Sequence, residues 1–182
     1  MHDSNLREAR RRRDPYGCRM ITHVSLATVW VKDQDESKAF YIDKLGFRES
    51  TDVTMGDGYR WVTVAHPSHP ELELTLMKPG PPLDDEDAAA FRHMLDKGSL
   101  GAVGLATDDC HKTHEELVAK GVEFIQEPAD RPYGVEAILR DNSGNWLVLV
   151  EPREFTPDSD VLAETDATIK TALNDTESSN PS

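Results

Sequence analysis

Cysteine, long apolar runs and positive charge are all scarce in this sequence. The chain has 182 residues and only 2 cysteines, Cys18 and Cys110, which form neither a disulfide framework nor a Cys-x-x-Cys metal motif. No apolar stretch approaches the roughly 18 residues that span a bilayer, so no membrane segment is expected. The net charge of −14 would repel phosphates, which argues against nucleic-acid binding. These absences predict a reduced, cytoplasmic protein that contacts neither membranes nor nucleic acids.

The two ends of the chain differ in composition from its middle. Residues 1–19 are polar and basic, and no apolar segment follows the four arginines at positions 10–13, which is unlike a secretory signal. Residues 153–182 are acidic and rich in Ser, Thr, Asp and Asn, a composition typical of a disordered tail. The sequence therefore predicts one domain, over residues 20–152, between two polar extensions.

The middle of the chain contains the same pattern twice. Each copy reads as a strand, a helix that ends at a glycine, and three further strands, over residues 21–78 and 101–151. A connecting helix is predicted over residues 84–97. Asp33 and Asp109 precede the two repeated helices and lie 76 residues apart. Since neither unit could bury one face of its sheet alone, we expect the two to pack together in an α+β domain. The predicted strands cover residues 24–31, 47–53, 59–65, 71–77, 102–107, 122–127, 134–140 and 146–151, and the repeated helices cover 33–46 and 109–120.

Several short motifs stand out within these units. They are VKD at positions 31–33, Ser37, FY at 40–41, LGF at 45–47 and DNSGNW at 141–146. Together they resemble the vicinal-oxygen-chelate superfamily, which includes glyoxalase I, extradiol dioxygenases, methylmalonyl-CoA epimerase, and the fosfomycin and bleomycin resistance proteins. The resemblance implies two βαβββ modules that form a cupped mixed sheet around a cavity, and in many members a homodimer. The motifs are specific for the fold and not for a function, because members share a scaffold and not a substrate.

In the enzymes of this family, the resemblance implies a divalent metal that acts as a Lewis acid on the substrate. His, Glu or Gln side chains from the first and last strands of each module hold it. The matching positions here are Leu26, Glu73, Ala102 and Val148, of which only Glu73 carries a ligating atom. Because a zinc-type site needs about three protein ligands, we expect no metal cofactor. The alternative is a divalent metal bound by Glu73 and His23, which by strand parity requires a bulge in the first strand.

Strand parity also predicts which side chains face the cavity, because successive residues of a strand point to opposite faces. Leu72, Leu74 and Leu76 form an apolar stripe that should pack on a helix. The predicted ligand-binding residues are Thr28, Trp30, Trp61, Glu73, Thr75, Trp146 and Val148. Aromatic walls with a few polar groups suit a flat or amphipathic small molecule. The alternative is that the tryptophans only fill the core.

Glu73 is also the candidate catalytic residue. Burial in a partly apolar cavity should raise its pKa, so that it could act as a general base. The alternative is a half-exposed glutamate whose charge Arg60 or Arg140 balances.

Three functions therefore stay open, and whether the protein is an enzyme stays open with them. The first is a metal-free protein that binds a small hydrophobic or cationic molecule, as in the bleomycin-resistance branch. The second is a metal-dependent lyase, isomerase or dioxygenase of the glyoxalase type, with a further ligand from a partner subunit. The third is a metal-free enzyme that uses Glu73 as its base.

Overall fold

Two four-stranded sheets form the framework of the protein in the computed structural model, which describes residues 21–154. The strands are β1 (Leu26–Trp30), β2 (Arg48–Thr54), β3 (Arg60–His66), β4 (His69–Met77), β5 (Gly101–Ala106), β6 (Phe124–Arg131), β7 (Gly134–Arg140) and β8 (Trp146–Pro152). The strand orders are β1-β4-β3-β2 and β5-β8-β7-β6. In each sheet the outer pair β1–β4 or β5–β8 is parallel and the other pairs are antiparallel. The predicted α+β fold of two βαβββ modules is confirmed.

Three α-helices accompany the sheets within residues 21–154. They are α1 (Gln34–Ala39), which continues as a π-helical turn (Phe40–Lys44), α2 (Asp85–Lys97) and α3 (Cys110–Ala119). Asp33 and Asp109 cap α1 and α3, because their carboxylates accept hydrogen bonds from backbone N–H groups of the first turn. The sequence predicted one continuous helix where α1 and the π turn lie. Within the described residues, no helix is both long and apolar enough to cross a membrane.

Most predicted boundaries lie within two residues of the observed ones. The exception is β6, which was predicted to end at residue 127 and extends to Arg131. Its pairing with β7 contains two register irregularities, which carry the strand past Pro128. The predicted extension over residues 1–19 and almost all of the predicted tail over residues 153–182 lie outside the described residues.

The helices α1 and α3 cover one face of each sheet, and the apolar core lies between these helices and the sheets. Core residues from both sheets and from α1 and α3 are Val29, Val31, Val62, Val64, Leu74, Leu76, Ala137, Leu139, Leu147, Leu149, Phe40, Tyr41, Cys110 and Leu117. Leu74 and Leu76 lie on this helix side, as predicted, whereas Leu72 on the same side is 39% exposed near the start of β4. We call the opposite face of the two sheets the open face.

One turn of the second module fastens the two modules to each other. Asn145 donates from Nδ2 to the backbone carbonyl of Trp30 at 2.8 Å and to Asp141 Oδ2 at 2.8 Å. The Tyr41 hydroxyl of α1's π turn donates to the same Asp141 oxygen at 3.2 Å. Asp141 Oδ1 accepts from the backbone N–H of Ser143 and Asn145, each at 2.9 Å. The turn is therefore internally braced and also bound to the first module.

Replacing Asn145 by Ala should destabilise the protein by about 1–3 kcal/mol, because it leaves the buried Asp141 carboxylate and the Trp30 carbonyl short of a donor. Urea unfolding followed by far-UV circular dichroism measures this free energy. Asn142→Ala, at an exposed position of the same turn, is the matched control and should change stability by about 0.5 kcal/mol or less. Equal effects of the two variants would contradict the fastening role of Asn145.

Candidate ligand-binding site

Four threonines form a row across the open face of the first sheet. Strand pairing places Thr51 beside Thr63, Thr63 beside Thr75, and Thr75 beside Thr28. Thr63 and Thr75 are buried, and their Oγ1 atoms have no hydrogen-bond partner among the residues that the structure describes. Buried polar atoms are nearly always partnered, so these hydroxyls have unused capacity for a ligand or an ordered water. We call this set the threonine row.

Two tryptophans lie on one side of the threonine row. Trp30 and Trp61 are each two residues from a member of the row, so strand parity puts both on the open face. The ring of Trp30 packs on Phe91 of α2, with ring centroids 4.6 Å apart. The ring of Trp61 lies 6.5 Å from that of Tyr59. Both tryptophans are half-buried, so each combines a packed edge with a partly accessible surface.

Glu73 lies on the other side of the threonine row, two residues before Thr75. The Ser50 hydroxyl donates to Glu73 Oε1 at 2.6 Å. This hydrogen bond lowers the pKa of Glu73. The predicted raised pKa is therefore wrong. The physical reason is a register irregularity in β2 between Glu49 and Thr51, where Ser50 lies.

Neither arginine considered from the sequence pairs with Glu73. Arg60 pairs with Asp52 through two nitrogen–oxygen contacts of 2.8 Å. Arg140 donates to the backbone carbonyl of Gly144 at 2.9 Å. Glu73 is thus an ionised carboxylate held by a hydroxyl. A carboxylate with a lowered pKa is a weak proton acceptor at neutral pH.

The four positions that the family resemblance assigned to a metal do not fit one. In the structure Leu26 pairs with Glu73, and Gly104 pairs with Val148. Spacing alone had assigned Ala102, whereas Gly104 is the β5 residue that pairs with Val148, and β5 has a register irregularity between Gly101 and Gly104. Three of the four side chains still lack a ligating atom. Nowhere in residues 21–154 do three His, Cys, Asp or Glu side chains come together in a group that could hold a metal ion.

His23 lies before β1 and is exposed. Its Nδ1 atom is 3.0 Å from the Thr22 hydroxyl. β1 pairs with β4 in regular register over Leu26–Trp30, so the bulge that a metal site with His23 requires is absent from that pairing.

The open face of the second sheet carries two of the predicted residues, Trp146 and Val148. Val148 is half-buried and pairs with Ile138, which makes this part of the face apolar. The Trp146 ring lies against Gly101, since a Cβ atom added there would be 2.5 Å from a ring carbon. Trp146 is nevertheless 40% exposed. The structure therefore places all predicted ligand-binding residues on the open face, divided between the two sheets.

Sequence reasoning missed a second carboxylate on the open face, that of Glu136. The Tyr133 hydroxyl donates to Glu136 Oε2 at 2.7 Å. Burial opposes ionisation of Glu136, but hydrogen bonds from Tyr133, Gln126 and Arg131 outweigh it, so the pKa of Glu136 lies below its ordinary value. Apolar residues alternate with Glu136 along residues 134–140, and that alternation could have placed it on the open face.

Cys110 does not provide a reactive thiol. It is fully buried at the start of α3, where its backbone N–H donates to the Glu151 carboxylate at 3.1 Å. Burial raises the pKa of the Cys110 thiol, which disfavours the nucleophilic thiolate. This environment does not support a catalytic thiol.

A separate cleft of about 740 Å³ lies on the helix side, between the modules. Its apolar lining includes Leu45, Leu72, Leu74, Leu105, Leu117 and Leu149. None of the predicted ligand-binding residues lines it. The unpartnered hydroxyls, the tryptophans and both carboxylates converge on the open face, which is therefore the better candidate site.

Comparisons with known proteins agree with this architecture. The model of the Glyoxalase/Bleomycin resistance protein/Dioxygenase superfamily matches residues 21–149. The crystal structure of UcmS2 is 44% identical with a TM-score of 0.68, and the match covers 72% of this chain and 99% of UcmS2. TnmS3, an antibiotic binding protein from Streptomyces sp. CB03234, is 30% identical with a TM-score of 0.59, over 74% of this chain and 98% of TnmS3. The uncharacterized protein YurT of Bacillus subtilis (strain 168) is 29% identical over 128 residues, which are 70% of this chain and 98% of YurT. The chain belongs to the glyoxalase/bleomycin resistance protein/dioxygenase superfamily.

Proposed function

We propose that this protein binds a small amphipathic molecule on its open face without a bound metal. The observation that carries the proposal is the threonine row between two tryptophans and the ionised Glu73. Tryptophan rings offer flat apolar contact, and unpartnered hydroxyls and a carboxylate offer oriented hydrogen bonds. The description of TnmS3 as an antibiotic binding protein supports the same kind of function for this relative of it.

We further propose that the binding unit is a cytoplasmic homodimer. The open face leaves large apolar side chains in solvent, among them Leu26, Val53 and Trp146. A second copy of the chain would cover such a surface, as the family resemblance implies. The free thiol of Cys110 fits a reducing compartment.

The two enzymatic alternatives have less support. A metal-free enzyme would need Glu73 as a base, and the hydrogen bond from Ser50 lowers the pKa of Glu73 instead of raising it. A metalloenzyme would need at least two further ligands from a partner subunit, because Leu26, Gly104 and Val148 supply none.

Full-length protein purified without chelators or nickel resin should contain well under one metal ion per chain by elemental analysis. Added zinc, nickel, manganese or ferrous iron should leave its thermal unfolding unchanged, because one carboxylate binds such ions weakly. A stoichiometric metal that Glu73→Ala removes would contradict the proposal and favour the metalloenzyme.

Replacing Thr75 by Val should weaken ligand binding about tenfold while leaving the free protein as stable as before or up to about 1 kcal/mol more stable. The reason is that the substitution removes a buried hydroxyl that has no partner in the free protein. Tryptophan fluorescence quenching by molecules found in a small-molecule screen measures binding, and urea unfolding measures stability.

The matched control for this experiment is Thr107→Val. The Thr107 hydroxyl lies 2.7 Å from that of Thr113, away from the open face. Its removal should lower stability and leave ligand binding unchanged. If Thr75→Val instead destabilised the protein and bound ligand normally, the threonine row would be structural only.

A further inference from the structure

The second module binds the link between β1 and α1 through two hydrogen bonds. Ser143 Oγ accepts from the Lys32 N–H at 3.0 Å. Asn145 Nδ2 donates to the Trp30 carbonyl at 2.8 Å. Both side chains belong to the turn between β7 and β8, in which five residues, 141–145, lie outside the strands. At this end of the junction, a turn of one module therefore reaches the backbone of the other.

The equivalent link, between β5 and α3, lacks this contact. With the repeat of 76 residues, Ala106 is the counterpart of Trp30, and Asp108 is the residue that matches Lys32. The turn between β3 and β4 corresponds to the β7–β8 turn, but only two of its residues lie outside the strands. In the part of the chain that the structure describes, this shorter turn makes no hydrogen bond to the β5–α3 link. Both instead line the cleft of about 740 Å³ between the modules.

Strand pairing directs two backbone groups of the β5–α3 link into this cleft. The Thr107 N–H donates to the Val150 carbonyl at 2.9 Å, so the backbone groups of Thr107 face β8. Because successive residues of a strand direct their backbone groups to opposite edges, the Ala106 carbonyl and the Asp108 N–H point away from β8. β5 is the outermost strand of its sheet. Within residues 21–154, neither group has a hydrogen-bond partner.

The rest of the cleft is apolar. Six leucines line it, and its volume lies within the range of about 300–1,000 Å³ that is typical of small-molecule sites. Of the β5 residues in the lining, Gly104 and Ala106 direct backbone groups to the free edge, and Asp108 continues this series. That edge pairs with one or two amino-acid units, so a small molecule matches it better than a protein segment does.

We propose that the cleft binds a small apolar peptide-like molecule, separately from the ligand of the open face. The N–H of one amino-acid unit donates to the Ala106 carbonyl, and the carbonyl of the same unit accepts from the Asp108 N–H. This is the hydrogen-bond pattern of a parallel strand pair. It supplies to this link the donor and the acceptor that Asn145 and Ser143 supply to the other one. The apolar groups of the molecule pack on the leucines.

Three probes test this inference on the full-length protein by isothermal calorimetry. They are N-benzyloxycarbonyl-leucine methylamide, its analogue with a methyl group on the leucine nitrogen, and N-acetylglycine methylamide. We expect the first probe to bind about tenfold or more tightly than the second, which cannot donate to the Ala106 carbonyl. It should also bind about tenfold or more tightly than the third, which lacks the apolar groups that fill the cleft.

A charge in the apolar lining provides the second arm. Leu72 lines the cleft and is partly exposed, so Leu72→Asp should keep the circular dichroism spectrum and weaken binding of the first probe about tenfold or more. Val53→Asp is the matched control, because Val53 is a similarly exposed apolar residue that does not line the cleft. It should leave binding of this probe unchanged.

Asp108→Pro removes the donor in the cleft. Thr107, the preceding residue, continues the pairing with β8 and is extended, so proline fits after it without loss of a hydrogen bond within the described residues. The variant should bind the first probe about tenfold or more weakly and keep its midpoint of urea unfolding. Lys32→Pro, at the equivalent position, should lower that midpoint, because Ser143 Oγ loses its donor.

Four outcomes would overturn this inference. The first is equal binding of the first two probes, because no donor would then be recognised at Ala106. The second is weakening by Thr75→Val and not by Leu72→Asp, which would place the probes on the open face. The third is no binding together with dissociation of a dimer by Leu72→Asp in sedimentation, which would assign the cleft to a second copy. The fourth is no binding of any probe with an unchanged oligomeric state. None of them contradicts the proposed function, which concerns ligands of the open face.

Discussion

A four-stranded sheet with a single helix can bury only one of its faces, and the rest of this structure depends on that constraint. In each module the helix side receives the β-branched and leucine side chains, and these join the two helices in one shared core. The other face remains available, so its residues are not selected by packing against a helix. That is why Glu73 and Thr75 can lie on β4 although the alternate residues Leu72, Leu74 and Leu76 are apolar. The candidate site lies on the open face, which is the face of each sheet that the apolar core does not cover.

A polar contact supplements the shared core in holding the two modules together. The turn over residues 141–145 supplies it, because its side chains bind backbone atoms where the first module passes from β1 to α1. Ser143 Oγ accepts from the backbone N–H of Lys32 at 3.0 Å, and Asn145 donates to the carbonyl of Trp30. Burial raises the pKa of Asp141 at the centre of this network, and four donors partly offset that effect. The position of Trp30 on the open face is thus fixed by the second module.

How far sequence can predict this site depends on whether strand pairing is regular. Parity correctly placed Trp30, Glu73 and Thr75 on one face, because β1 and β4 pair without interruption. It did not reveal the threonine row, since that row depends on the register between neighbouring strands, and Thr51 joins it through a β2–β3 pairing that contains an irregularity beside Ser50. β5 also contains a register irregularity, and the residue that pairs with Val148 is Gly104, not the Ala102 that spacing suggested. The alternation of side chains between the two faces can be read from a single strand. The register is set by the pairing of two strands, and the sequence of either strand alone indicates it only weakly.

The chemistry around Glu73 shows how this scaffold can keep a carboxylate without a metal. A half-buried carboxylate without a partner would lower the stability of the fold. Leu26, Gly104 and Val148 cannot ligate a metal ion together with Glu73, so no bound metal neutralises its charge. The irregularity in β2 brings the Ser50 hydroxyl to 2.6 Å from Glu73 Oε1, which stabilises the ionised form. The second module holds Glu136 in the same way, with the Tyr133 hydroxyl at 2.7 Å. Each carboxylate is therefore oriented by one short hydroxyl bond, and an ionised carboxylate held in this way is suited to accepting a hydrogen bond from a ligand more than to removing a proton from it.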